Sequence, residues 1–286
     1  MSIKVPIISA GLYLVATPIG TASDLSFRAV KILEEADILL AEDTRQLRKL
    51  MTIFGIKLNK RLLLSVNDFN EEKQTPKVVA KIKDGKSVAL VSDAGTPMVA
   101  DPGYRLVSEI IRAGFNVTGV PGASAFLLAL IVSGLPTDKF LFVGFPPAKS
   151  SARKTFLEKF SKLEFTTILY EAPSRVAKTI LSISEVCGSD RKVVICRELT
   201  KKFEEVIRGT VEEILNSFQF SKSLKGEFVL LIGPSKSRSV GDEEIDLELQ
   251  KAFNEMSFKD SIEFVSRKLE TSRKLVYARG LKVKNL

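Results

Sequence analysis

Residues 92–104 read Ser-Asp-Ala-Gly-Thr-Pro-Met-Val-Ala-Asp-Pro-Gly-Tyr and follow directly on the apolar run Ser87-Val-Ala-Leu-Val91. A β-branched run ending in glycine, proline and aspartate is a strand delivering a sharply bent loop, where glycine lets backbone approach a ligand closely. In parallel sheets ligands bind at such strand ends. A tight strand-to-helix connection that binds nothing uses the same residues. The chain has no histidine. Imidazole is therefore absent as general base, metal ligand or triad member, and proton chemistry falls to Asp, Glu, Lys and Tyr. Cys187 beside Gly188 and Cys196 within Val193-Val-Ile-Cys196 have neither disulfide-framework nor zinc-site spacing. No metal site is expected.

These residues need a body to hold them. At 286 residues with 45% hydrophobic content the chain can bury a sizeable core, and two domains are the natural expectation. Its apolar runs stop far short of the roughly 20 residues that cross a bilayer, and its start lacks a secretory pattern. A cytoplasmic protein without membrane association is expected. Lys and Arg number 43 against 34 Asp and Glu, a net charge of +9. That balance favours a polyanionic partner, nucleic acid foremost, although a basic surface tuned for solubility gives the same count.

Strand-like runs alternate with helical patterns, which predicts an α/β fold with mainly parallel or mixed sheets. The first five strands are expected at residues 11–16, 37–41, 61–66, 87–91 and 116–120. Phe27, Val30, Ile32 and Leu33 give one helical face, and Leu106, Ile110 and Ile111 another. Pro121-Gly-Ala-Ser-Ala125 then precedes a restart of the pattern, with strands at 140–145, 166–171, 192–197 and 227–232. The expected organisation is an N-terminal α/β domain at 1–121, a second α/β domain at 122–234, a polar linker at 235–244, and a small helical tail at 245–286. In the tail, Ser257 is a cap candidate for a stripe of Ile262, Val265 and Leu269, and Thr271 or Ser272 for a second helix. This spacing suggests a helix-turn-helix, and its lysines and arginines suit either a nucleic-acid contact or a solvated face.

Five segments carry a specific resemblance: Ala16-Thr-Pro-Ile-Gly20, Ala41-Glu-Asp-Thr-Arg45, Ser92-Asp-Ala-Gly-Thr-Pro97 with Asp101-Pro-Gly103, Ser133-Gly-Leu-Pro136, and Arg197-Glu-Leu-Thr-Lys201 with Glu204-Glu205. Together they resemble the tetrapyrrole-methylase superfamily, and within it the bacterial small-subunit ribosomal RNA cytidine 2′-O-methyltransferases. The resemblance implies S-adenosylmethionine as methyl donor, with S-adenosylhomocysteine as product, bound in a cleft between two α/β domains. It implies a homodimer, and as substrate a decoding-region cytidine of 16S rRNA in the small ribosomal subunit. Carried over by position, Pro18, Gly95, Thr96, Pro97 and Val99 shape one side of the cofactor pocket. Ser124 and Ala125 close another, while Tyr170, Leu199, Gly226 and Glu227 flank the donor from the second domain.

The same resemblance favours Glu42, Asp43, Arg45 and Lys201 as catalytic residues. Arg45 would fork onto an RNA phosphate while a carboxylate accepts the target hydroxyl. The group Glu42-Asp-Thr-Arg45 also suits a helix N-terminal cap, and alternation past a strand prevents all its side chains from facing one ligand. Lys201 is either a base or a holder of phosphate, with an exposed strand-end lysine as the structural alternative. The chain departs from the family where histidine is often found, in the stretch Ser65-Val-Asn-Asp-Phe-Asn-Glu71 and at Ser174, and it has Thr21 where asparagine is usual. The proton chemistry must therefore come from other groups. Two other readings remain: a corrin-precursor methyltransferase on the same scaffold, and a nucleic-acid-binding regulator that senses a metabolite. A nicotinamide oxidoreductase lacks its Gly-x-Gly-x-x-Gly fingerprint here.

Overall fold

The structure is a computed structural model that describes residues 8–217, 224–235, 241–269 and 271–284. It is α/β, and the chain divides into two compact units, Met1–Pro234 and Ser235–Leu286. The described residues of the first unit form two sheets. Strands β1 (Gly11–Val15), β2 (Ile38–Ala41), β3 (Leu62–Ser65), β4 (Ser87–Val91) and β5 (Val117–Val120) make an all-parallel sheet in the order β3-β2-β4-β1-β5. Its strands are apolar on both faces because both faces are covered. Tyr13, Val15, Leu39, Ala41, Ala89 and Val91 pack beneath helices Phe27–Glu35 and Thr44–Ile53. The alternate residues Leu12, Ile38, Leu40, Val88 and Leu90 pack beneath helices Glu71–Lys83 and Tyr104–Arg112.

That division positions a site. The helix following β1 and the helix following β4 lie on opposite faces of the sheet, although the two strands are neighbours. A crevice opens between the C-terminal ends of such a pair, where open α/β sheets hold ligands.

The second sheet is mixed. It contains β6 (Phe140–Phe142), β7 (Thr166–Glu171), β8 (Lys192–Arg197), β9 (Glu205–Thr210) and β10 (Phe228–Ile232), ordered β6-β7-β10-β8-β9. Only β6 and β7 run parallel; the other pairs are antiparallel. One face packs on helices Ser150–Glu158, Val176–Cys187 and Val211–Ser217. The other face packs on helix Ala125–Ser133 and on Ile19, which arrives from the first half. The boundary expected between residues 121 and 122 therefore falls inside one compact unit.

Three details differ from the sequence expectation. Phe27 and Ile111 point to solvent, and the helices bury Ala29, Ile32 and Leu33, and Leu106, Val107 and Ile110, instead. Strand β9 differs from the expectation because an edge strand with no fully buried side chain has a weak apolar signal. Among the described residues of the second unit three helices form, Asp242–Phe253, Phe258–Lys268 and Arg273–Val283, around Ile245, Leu249, Ile262, Val265 and Val276. The first takes in Asp242, Glu243 and Glu244, assigned above to a linker; three acids in a first turn favour the helix N-terminus. Residues 236–240 of that linker lie outside the described residues. Ser257 caps its helix by accepting from the Asp260 amide at 3.3 Å.

Candidate active site

The loops after β1 and β4 are joined to each other. The Thr17 amide donates to the Gly95 carbonyl at 2.9 Å, and the Gly95 amide returns a bond to Thr17 at 3.1 Å. The Thr17 hydroxyl donates to the Ser92 carbonyl at 3.2 Å, and the Ser92 hydroxyl to the Gly95 carbonyl at 2.7 Å. Gly95 sits at φ +79°, a conformation that favours glycine, and a Cβ there would lie 3.3 Å from Ile19 Cγ2. Met98 and Ala100 also take left-handed backbone, at φ 69° and 63°. Such residues persist only where surrounding structure fixes them, and they cluster at ligand sites.

Between this loop and the ends of β7 and β10 lies a cavity of about 310 Å³, within the range of small-molecule sites. Gly95, Thr96, Val99, Ser124, Ala125, Tyr170, Gly226 and Glu227 line it, so eight of the residues picked for the cofactor meet at one place. Pro18, Pro97 and Leu199 do not line it. Pro18 borders a smaller cavity beside Gln46 and Lys49, Pro97 faces Glu42, and Leu199 is buried in the second sheet's core. Ile19, Asp101, Phe145 and Glu171 line the cavity without having been picked. Asp101 had a signal, its place in the Asp-Pro-Gly motif; Phe145 and Glu171 had only their positions after β6 and at the end of β7.

The walls suit a nucleoside-sized ligand. Ala94, Gly95, Ala100, Ala125 and Gly226 line the cavity with a methyl group or no side chain, which lets a ligand come close to backbone. The Thr96 hydroxyl ties one wall to the next by donating to the Ala123 carbonyl at 3.1 Å. Tyr170 stands against Phe142 and Phe145, with ring centroids 4.8 and 5.5 Å away. Burial pushes its phenol up to about 12, so it stays neutral. Glu171 is buried but satisfied: it accepts from the Ala172 amide at 2.8 Å and the Thr179 hydroxyl at 2.6 Å, and Arg175 Nε stands 2.7 Å from it.

Four carboxylates gather beside the cavity, and their environments push them apart. Asp101 is pushed up to about 6, first by burial and then by the negative charges of Glu42, Asp93 and Asp68. Burial also raises Glu42 and Asp93. Asp43 goes the other way, to about 2, because Arg45 forks onto it with Nε at 3.0 and 3.1 Å and Nη2 at 2.7 Å. Asp43 is also the cap of helix Thr44–Ile53, accepting from the Arg45 amide at 2.8 Å. The helix-cap reading of this group thus holds for Asp43, which is too weak a base for a hydroxyl. Divergent carboxyl values of this kind separate acid and base roles, and they single out Asp101.

Lys201 is not placed as a base. Its Nζ bridges Glu198 at 2.9 Å and Glu227 at 2.8 Å. Burial works to lower its pKa, but the two carboxylates outweigh burial and raise it. The lysine stays charged and fixes Glu227 at the cavity rim.

The residues matched by the tetrapyrrole (corrin/porphyrin) methylase family model are 11–215, and the chain belongs to that family. Within it, the chain is 40% identical over 274 residues to "Ribosomal RNA small subunit methyltransferase I" of Mesorhizobium japonicum, covering 96% of this chain and 92% of that protein. It is 41% identical to the Bacillus subtilis protein of the same name, over 82% and 78% of the two chains. The fold matches the methyltransferase CobJ with a TM-score of 0.57 and 18% identity, over 82% of this chain and 98% of that one. It also matches uroporphyrin-III C-methyl transferase from Thermus thermophilus complexed with S-adenyl homocysteine, with a TM-score of 0.53 and 19% identity, over 78% and 97%.

Proposed function

We propose that this chain transfers a methyl group from S-adenosylmethionine to the ribose 2′-hydroxyl of a cytidine in the decoding region of 16S rRNA. It acts as a homodimer on the small ribosomal subunit, in the cytoplasm. The observation that carries the chemistry is Asp101, a carboxyl pushed up to about 6 in the wall of the cavity that holds the glycine loop. Support for the substrate comes from the names of the relatives and the net charge of +9.

When bound, S-adenosylmethionine supplies an electrophilic methyl on a sulfonium. Gly95, Ala100 and Gly226 let it approach backbone, Thr96, Ser124 and Glu227 offer it polar groups, and Val99 and Ala125 exclude water. Asp101 accepts the hydroxyl proton, in the role histidine would otherwise fill, and its carboxyl is ionised at neutral pH yet basic enough to assist. Alignment of the two reactants supplies the larger share of the barrier reduction, about 7–11 kcal/mol. Arg45 takes a phosphate of the RNA, and Lys201 acts through Glu227.

The test is transfer of labelled methyl to small subunits lacking the modification, with nuclease mapping of the product. A 2′-O-methylated cytidine near the decoding site is expected. Label in a corrinoid would replace this reading with tetrapyrrole methylation, and donor binding without transfer would replace it with a metabolite-sensing regulator.

A further inference from the structure

Two large aromatic rings stand in solvent on the segments that follow β3 and the Asp-Pro-Gly turn: Phe69 is 97% exposed and Tyr104 73%, the latter bordering the groove between helices Glu71–Lys83 and Tyr104–Arg112 with Glu72 and Arg105. Neither is on a loose segment. The Phe69 amide donates to Asn67 Oδ1 at 3.1 Å, the Asn67 amide to Asn70 Oδ1 at 2.9 Å, and Asn70 Nδ2 to the Ser65 carbonyl at 3.1 Å. This short loop after β3 is thus tied at each end, and it holds the ring out. Tyr104 follows Gly103, whose φ of +125° and tight approach to Leu90 fix the start of its helix. The two segments are fastened together: the buried Glu71 carboxylate accepts from the Leu106 amide at 2.8 Å, and Arg105 pairs with Glu72 at 3.5 Å.

We propose that Phe69 and Tyr104 are stacking platforms for bases of the RNA substrate at the mouth of the Asp101 site. This rests on the RNA reading above. Both rings lie on loops next to the acidic group: the Ser65 hydroxyl at the end of β3 donates to the Glu42 carbonyl at 3.0 Å, Phe69 adjoins Asp68, whose charge reaches Asp101, and Tyr104 lies three residues beyond Asp101. Glu42, Asp68 and Asp93 around Asp101 repel phosphate, so the backbone of the nucleic acid passes at Arg45 and not directly over Asp101. A base belongs there. Aromatic rings stack on any base through its π-face, and carboxylates accept hydrogen from an exocyclic amine such as that of cytosine. A nucleotide turned out of its strand satisfies both, and brings its ribose towards Asp101.

The chain contains no tryptophan and four tyrosines, so Phe69→Trp introduces a single tryptophan at the platform, excited selectively over the tyrosines. Its emission is expected to quench on titration with a short cytidine-containing single-stranded oligoribonucleotide. Phe69→Ala and Tyr104→Ala, each checked for an unchanged melting temperature, are expected to raise KM for small subunits by about 5- to 150-fold. Affinity for S-adenosylmethionine should stay unchanged, and Phe69→Tyr or Phe69→Trp should restore KM where Phe69→Leu does not. Wild-type KM in both alanine variants overturns the proposal while leaving the methyltransferase reading intact, and so does full rescue by leucine, which would mark an apolar protein contact. A wild-type protein that methylates no RNA overturns both.

Discussion

Thr21 and Thr200 hold each other by two bonds across the halves of the first unit. The Thr21 amide donates to the Thr200 hydroxyl at 3.1 Å, and the Thr21 hydroxyl donates to the Thr200 carbonyl. Gly20 makes the approach possible: a Cβ there would lie 2.5 Å from both Lys201 Cγ and Thr200 Oγ1. Thr200 and Glu198 take left-handed backbone, at φ 65° and 51°, to complete the contact. Gly20→Val must separate the loops, and overpacking of this kind costs about 1–3 kcal/mol. The variant is expected to melt lower and to bind S-adenosylmethionine more weakly, with Gly20→Ala intermediate. Calorimetry and thermal unfolding check this, and wild-type values in both would exclude a role for the clasp.

Asp101 ties activity to a stability cost whose sign is fixed. Its carboxyl is raised from the ordinary value of 3.8 to about 6, so the folded chain holds the proton more tightly than the unfolded one. Stability from this residue is present below about pH 4 and is lost as pH rises through 6. Asp101→Asn should therefore melt higher than wild type at pH 7.5, with the difference gone at pH 4. Methyl transfer should fall about 10²- to 10⁴-fold, and the wild-type rate should decline below pH 6 with an acid limb that the variant lacks. A variant retaining full rate and the same acid limb would remove Asp101 from the chemistry.

Lys201 offers a contrast. With Glu198 and Glu227 both on its ammonium, Lys201→Met leaves two carboxylates facing each other at the rim. The expected result is weaker donor binding with the acid limb of the pH profile unmoved, and partial rescue by Lys201→Arg. A pH profile that shifts with Lys201→Met would return the lysine to the role of base.

Most of the scaffold was legible because the strands of the first sheet are short apolar runs closed by glycine, proline or aspartate. Ser87–Val91 is the clearest, ending in the very loop that lines the cavity. Strand β9 was hidden because none of its side chains is fully buried, and the first helix of the second unit by an acidic start that reads as linker. In the site, glycine positions carried across well, since a backbone conformation such as that of Gly95 is written in residue type. Pairing is not. That Arg45 is committed to Asp43, and Lys201 to two glutamates, depends on side-chain partners up to 26 residues apart in sequence. Asp101 owes its character first to burial and then to charges, of which those of Glu42 and Asp68 come from two other loops, which no local pattern records.

Arg45 is the last group whose role the geometry sharpens. It is exposed, with 89% of its side chain in solvent, and its fork onto Asp43 uses Nε and Nη2. Surface pairs of this kind contribute little to folding, so Arg45→Ala should leave the melting temperature unchanged. It should let the Asp43 carboxyl climb back towards its ordinary range, since Arg45 is the first cause of its depression. If Arg45 also meets a phosphate, KM for the small subunit rises, and the slope of log affinity against log salt loses about one unit. That slope separates two meanings of the same loss: a lower slope reports a missing phosphate contact, whereas weaker binding at unchanged slope reports a helix start disturbed at its cap. Unaltered binding and turnover would leave Arg45 as the partner of Asp43 alone.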